Sequence, residues 1–86
     1  MFDQAVQLEV FPTDLQLRRI DPACNMRRFY RLSVQRDLFG GACLIREWGR
    51  IGHPGTVRET GFETESEAWA AGEWWRGRKE KRGYQA

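Results

Sequence analysis

The sequence predicts an α+β domain: an antiparallel β-sheet with one C-terminal α-helix packed across one face. Three observations predict it. Apolar and polar residues alternate with period two through the first two-thirds of the chain, turn-forming residues separate these runs, and the period changes near 3.6 after Phe62.

Val6, Leu8 and Val10 alternate with Gln7 and Glu9, so a leading strand is expected over residues 6–11. Phe11-Pro12-Thr13-Asp14 reads as a turn and Leu15 to Ile20 as the next strand, followed by a loop at Asp21 to Asn25. From Phe29 to Arg36, Tyr30, Leu32 and Val34 share one face while Arg31, Ser33 and Gln35 share the other. Gly40-Gly41 closes a hairpin into a strand over Ala42 to Arg50, and Gly52-His53-Pro54-Gly55 connects to a last strand over Thr56 to Phe62.

Thr64-Glu65-Ser66-Glu67 has capping-box spacing, with the Thr64 hydroxyl set to accept from the Glu67 amide and the Glu67 carboxylate to reach back. A helix is expected from Glu65 to about Arg82, with Ala68, Ala71, Gly72 and Trp75 on its buried face and the Lys79 stem extending it. Trp69 and Trp74 flank that face on opposite sides. Gly83 is the expected stop.

Eighty-six residues suit one domain, 1–86. A chain this short buries only about 60% of its unfolded surface, which leaves little volume for a deep catalytic pocket. Four Trp supply much of the available core. The net charge is +2, a mild prior for an anionic partner, but its distribution is uneven. Arg18 to Arg58 holds nine Arg against Asp21, Asp37 and Glu47, Glu59 to Glu73 holds five Glu, and Arg76 to Arg82 is again basic. Twelve Arg against two Lys favour planar, bidentate contact with phosphate or carboxylate. Solvated surface charge is the competing reading.

Cys24 and Cys43 lack metal-ligand spacing and His53 is the single histidine, so no metal site and no cofactor are expected. No Ser-His-Asp or Cys-His arrangement is available, His53 reads as an exposed turn residue, and Glu63, Glu65 and Glu67 complement a helix dipole. No enzyme activity and no small-molecule substrate are expected. No signal peptide or membrane span is visible, which makes a cytoplasmic location the default.

The residues that point to a ligand lie on the strand ending at Arg50. Alternation puts Arg46, Trp48 and Arg50 on one face, an aromatic plane between two guanidinium groups. Bases and sugars stack on such planes, and phosphates pair with such cations. Arg28, Arg31 and Arg58 on neighbouring strands are expected to widen the patch, and Gly49 to leave the backbone open beside Trp48. The alternative has Trp48 in the core, covered by Arg stems.

Trp48-Gly49-Arg50-Ile51-Gly52, followed by Gly55, resembles the signature of the WGR family. Arg28-Phe29-Tyr30 resembles that family's basic-aromatic-aromatic strand opening, Phe62 to Ala68 its entry into the helix, and Gly83-Tyr84 its ending. The resemblance covers residues 15–84. It implies the sheet-plus-helix fold and, from the DNA-dependent poly(ADP-ribose) polymerases, recognition of DNA breaks. By position it implies Trp48 as a sugar-stacking residue, Arg50 as a phosphate or interdomain contact, Arg28 as a basic contact and Tyr84 as the closing aromatic, for contact or packing. Arg27 stands where the family often has Asn, Gly72 replaces a helix aromatic, and these 86 residues hold no transferase domain for Arg50 to address.

The sequence therefore points to a nucleic-acid-binding module, for DNA and for breaks or ends in particular, with no membrane partner. Its rival is a protein-interaction or self-association module that uses exposed helix Trp residues.

Overall fold

The computed structural model describes residues 14–86. Four strands, β1 (Asp14–Asp21), β2 (Met26–Arg36), β3 (Ala42–Arg50) and β4 (Thr56–Phe62), precede one helix, α1 (Glu65–Lys81). The strands form a single antiparallel sheet in sequence order, β1-β2-β3-β4. The chain has the α+β architecture the sequence predicts. The expected leading strand, Val6 to Phe11, lies outside the described residues.

Each connection has a local cause. The Asp21 carboxylate accepts from the Ala23 amide at 3.2 Å, and Asn25 takes a left-handed conformation (φ 52°), which reverses the chain within a one-turn 3-10 helix at Pro22–Cys24. Pairing then resumes at once, Asp21 opposite Met26. β2 therefore begins three residues before the expected Phe29, because β1 supplies partners that a local reading of Met26-Arg27-Arg28 cannot see. Between β2 and β3, one Asp37 carboxylate oxygen accepts from the Phe39 and Gly41 amides, each at 2.8 Å, and stiffens the hairpin.

The helix begins as its capping residues dictate. Thr64 is extended and its hydroxyl accepts from the Glu67 amide at 3.1 Å. Among the described residues the Glu67 carboxylate makes no return bond, so half of the expected box forms. The helix ends in a Schellman turn: the Tyr84 amide donates to the Lys79 carbonyl at 3.1 Å and the Gly83 amide to the Glu80 carbonyl at 3.0 Å, with Gly83 at φ 97°. This turn drops Tyr84 onto the sheet. Gln85 then exchanges two backbone hydrogen bonds with Arg18, at 2.7 and 2.8 Å.

One face of the sheet carries the core. Leu17, Tyr30, Leu32, Val34, Ala42 and Leu44 are buried beneath Ala68, with Tyr84 closing one end. Leu15, Trp48, Phe62, Trp69, Ala71 and Trp75 pack against this cluster while part-exposed. Gly72 is buried without a side chain, and a methyl there would sit 3.4 Å from Leu44 Cδ1, so the helix lies close to β3. Cys24 and Cys43 are both free thiols. No helix among the described residues is long and apolar enough to cross a membrane.

Candidate nucleic-acid interface

The register of the sheet builds the site. Residues paired across antiparallel strands share a face, so successive rows can be traced outward from the buried positions. Leu17, Tyr30, Trp48 and Thr56 form one row on the helix-bearing face. On one side of it runs Leu15, Leu32, Arg46 and Arg58; on the other runs Arg19, Arg28 and Arg50. Arg46, Trp48 and Arg50 thus share a face as the alternation predicts, and Arg28 and Arg58 join them. Trp48 sits between two cationic rows.

Trp48 is half-buried. It stacks on Tyr30 with ring centroids 6.1 Å apart and planes inclined at 25°. Arg46 wedges between aromatics, its guanidinium carbon 5.2 Å from the Trp48 ring centre and 3.9 Å from that of Trp75. The same guanidinium donates to the Tyr30 hydroxyl at 3.4 Å, a long and weak bond. The sequence offered Trp48 as either platform or core. The structure sets both Tyr30 and Arg46 against the ring and leaves part of the residue in solvent.

Lys79 continues the pattern from the helix, with its ammonium 4.7 Å from the centre of Tyr30 and 5.4 Å from that of Tyr84. Burial, and then the charges of Arg82, Arg46, Arg78 and Arg28, hold its pKa below the ordinary lysine value. That crowding is an electrostatic sign of concentrated positive charge. Burial likewise pushes the Tyr30 phenol up, against the opposing pull of Arg46. Arg50 is exposed, and its guanidinium donates to the Asn25 carbonyl at 3.4 Å.

Among the described residues, ion pairs form at Arg31–Asp14, Arg36–Glu65, Arg76–Glu73 and Arg76–Glu80. None involves Arg19, Arg28, Arg46, Arg50, Arg58, Arg78, Lys79 or Arg82. These cations gather around Trp48 and the C-terminal half of α1, and no carboxylate among the described residues pairs with them.

Three expected site residues take other roles. Arg31 pairs with Gln16 and Glu47 on the opposite face, where Asp14 grips it through two hydrogen bonds of 3.0 and 2.5 Å. It does not widen the patch, because period two carries it away from Arg28 and Arg46. Gly49 also faces that side and opens no space beside Trp48: a Cβ there would lie 3.1 Å from Gly55 Cα and 3.4 Å from the Phe29 ring. A Cβ on Gly55 would meet the Trp48 carbonyl oxygen at 2.7 Å and Phe29 Cζ at 2.8 Å. The two glycines make room for Phe29 and hold the backbone that carries Trp48. Tyr84 is buried, edge-on to Tyr30 at 6.3 Å, which gives it the packing role of the two the resemblance allows.

Sequence reasoning passed over Arg19, Trp75, Lys79, Arg78 and Arg82 as site members. Arg19 was hidden because its alignment with Arg28 and Arg50 depends on two strand registers. One helix pair carried a usable signal, the four-residue spacing of Trp74 with Arg78, which puts a cation over a ring.

Comparison with known proteins fits this geometry. A family model described as WGR domain matches residues 13–86. The chain belongs to the WGR domain family. An uncharacterized protein of Sinorhizobium fredii, y4dW, is 44% identical over 57 residues, which cover 66% of this chain and 28% of that protein. The WGR chain thus spans under a third of the length of this relative. No solved structure matches the chain.

Proposed function

We propose that this WGR domain is a non-catalytic module that binds DNA on the helix-bearing face of its sheet. The Arg19, Arg28 and Arg50 row runs beside Trp48 with no acidic partner among the described residues, and this observation carries the reading. Arginines set side by side match the repeat of charge along a nucleic-acid backbone, and Lys79 and Arg82 reinforce them from the helix end. Trp48, held at a fixed tilt by Tyr30 and Arg46, offers its exposed part to a terminal sugar or base.

Fluorescence anisotropy of a labelled duplex across salt concentrations tests this. Affinity should fall steeply with salt, and an Arg28→Gln/Arg50→Gln variant should lower the log–log slope by about 2, since each lost phosphate contact removes about 1. Trp48→Ala should weaken linear duplexes more than closed circles. Salt-insensitive retention, or none at low salt, sinks the proposal.

A second reading, a protein contact, draws support from the β2–β3 hairpin. Leu38 and Phe39 are 95% and 93% exposed at a tip that Asp37 holds rigid. Exposed apolar side chains on a stiff protrusion fit a partner's pocket. Mass that rises with protein concentration in light scattering, and that Leu38→Ser/Phe39→Ser abolishes, would establish self-association. Mass constant with concentration excludes it.

A further inference from the structure

Trp74 has no part in the core and is 56% exposed, yet it is far from an isolated surface aromatic. It packs edge-on against Trp75 with centroids 4.9 Å apart and planes at 86°. The Arg78 guanidinium lies 4.9 Å from the centre of Trp74 and 5.9 Å from that of Trp75. Trp75 in turn holds Arg46, which touches Trp48. Rings and cations therefore alternate without a break from the sheet up onto the helix: Trp48, Arg46, Trp75, Arg78, Trp74.

The two acids of the helix's C-terminal half lie off this stripe. Glu73, Arg76 and Glu80 occupy a neighbouring flank and pair with each other, Glu73 to Arg76 at 3.5 Å and Glu80 to Arg76 at 3.3 Å. On the sheet side Arg58 is exposed and registers opposite Arg46, which adds another cation along the stripe.

Resting on the DNA-binding reading, we propose that Trp74 is a second stacking platform, for an unpaired nucleotide, so that the preferred ligand is a duplex end with a single-stranded extension. An extended strand presents bases and phosphates in alternation, and interleaved rings and cations are the surface that matches it. In a blunt duplex the bases are stacked on one another and Trp74 has nothing to receive. Trp48 and the Arg19, Arg28 and Arg50 row engage the duplex end, while Arg78 meets the phosphate beside the base on Trp74. If Trp74 merely shielded the helix, its removal would change stability and leave ligand choice untouched.

The test compares a short blunt duplex with the same duplex extended at one end by a run of thymidines, by fluorescence anisotropy at constant salt. The wild-type chain should favour the extended duplex by about tenfold, within the range that one stacked base contributes. Trp74→Ala should bring the extended duplex down to the blunt value, leave the blunt value unchanged, and melt near the wild-type temperature. Trp74→Phe should restore much of the preference. Equal wild-type affinity for both duplexes overturns this proposal alone, as does an equal weakening of both by Trp74→Ala. Failure to bind either duplex overturns the DNA-binding reading with it.

Discussion

The two ends of the helix-covered sheet face are packed by different chemistry. Near the start of α1, Val34, Ala42 and Leu44 meet Ala68 and Gly72, small and aliphatic groups in close contact. Near its end, Tyr30, Trp48, Trp75 and Tyr84 are held together by Arg46 and Lys79. The aliphatic end has only its volume to contribute. The cationic end packs as well, but its charges have no carboxylate partners among the described residues. One end therefore carries stability alone, and the other holds groups that can exchange a ring contact for a phosphate contact.

The largest effect should come from the aliphatic end. Leu44→Ala removes a side chain that is 2% exposed and should cost about 2–5 kcal/mol in chemical denaturation, while DNA affinity per folded molecule stays the same. Leu44→Met, which conserves volume, should cost less than about 1.5 kcal/mol. A binding loss in the folded Leu44→Met protein would break the division between the ends.

The cationic end should respond in the opposite way. Arg46→Met keeps an unbranched stem between Trp48 and Trp75 but deletes the charge. Stability should move by only about 1 kcal/mol, whereas the salt slope of DNA binding should drop by about 1. If titrations show an unchanged slope, Arg46 serves as packing and the contrast narrows to the Arg19, Arg28 and Arg50 row.

The smallest effect belongs to the far face, at Arg31 and Asp14. The hydrogen bonds from Arg31 hold the Asp14 carboxyl below its ordinary value of 3.8. Its contribution is complete above that value and is lost as pH falls through the depressed folded value, because the folded protein must then give up the ion pair. Both groups are nearly half exposed, so the loss is small. Thermal melts should show Asp14→Asn slightly less stable than wild type at neutral pH and equal to it in strong acid. DNA binding should be unchanged at neutral pH.

Much of the fold was legible in the chain. Tyr30, Leu32 and Val34 announced a buried face by simple alternation, Thr64 announced a helix start, and Gly83 a helix stop. Each is local, decided by side-chain period or backbone geometry over a few residues. The site was only half legible. Alternation set Arg46, Trp48 and Arg50 on one face but could not say that α1 covers that same face, nor that Phe29 fills the space beside Gly49. Arg31 seemed a natural neighbour of Arg28, yet three positions along a strand reverse the direction of a side chain.

The Trp48-Gly49-Arg50 strand thus owes its facing to sequence and its company to tertiary structure. Local period alone puts Trp48 between two arginines. Register decides that Arg19 and Arg28 line up with Arg50, because a slip of one residue would send either to the opposite face. Helix docking decides that Trp75, Arg78 and Lys79 join them. Those placements depend on contacts between residues distant in the chain, which no short-range pattern encodes.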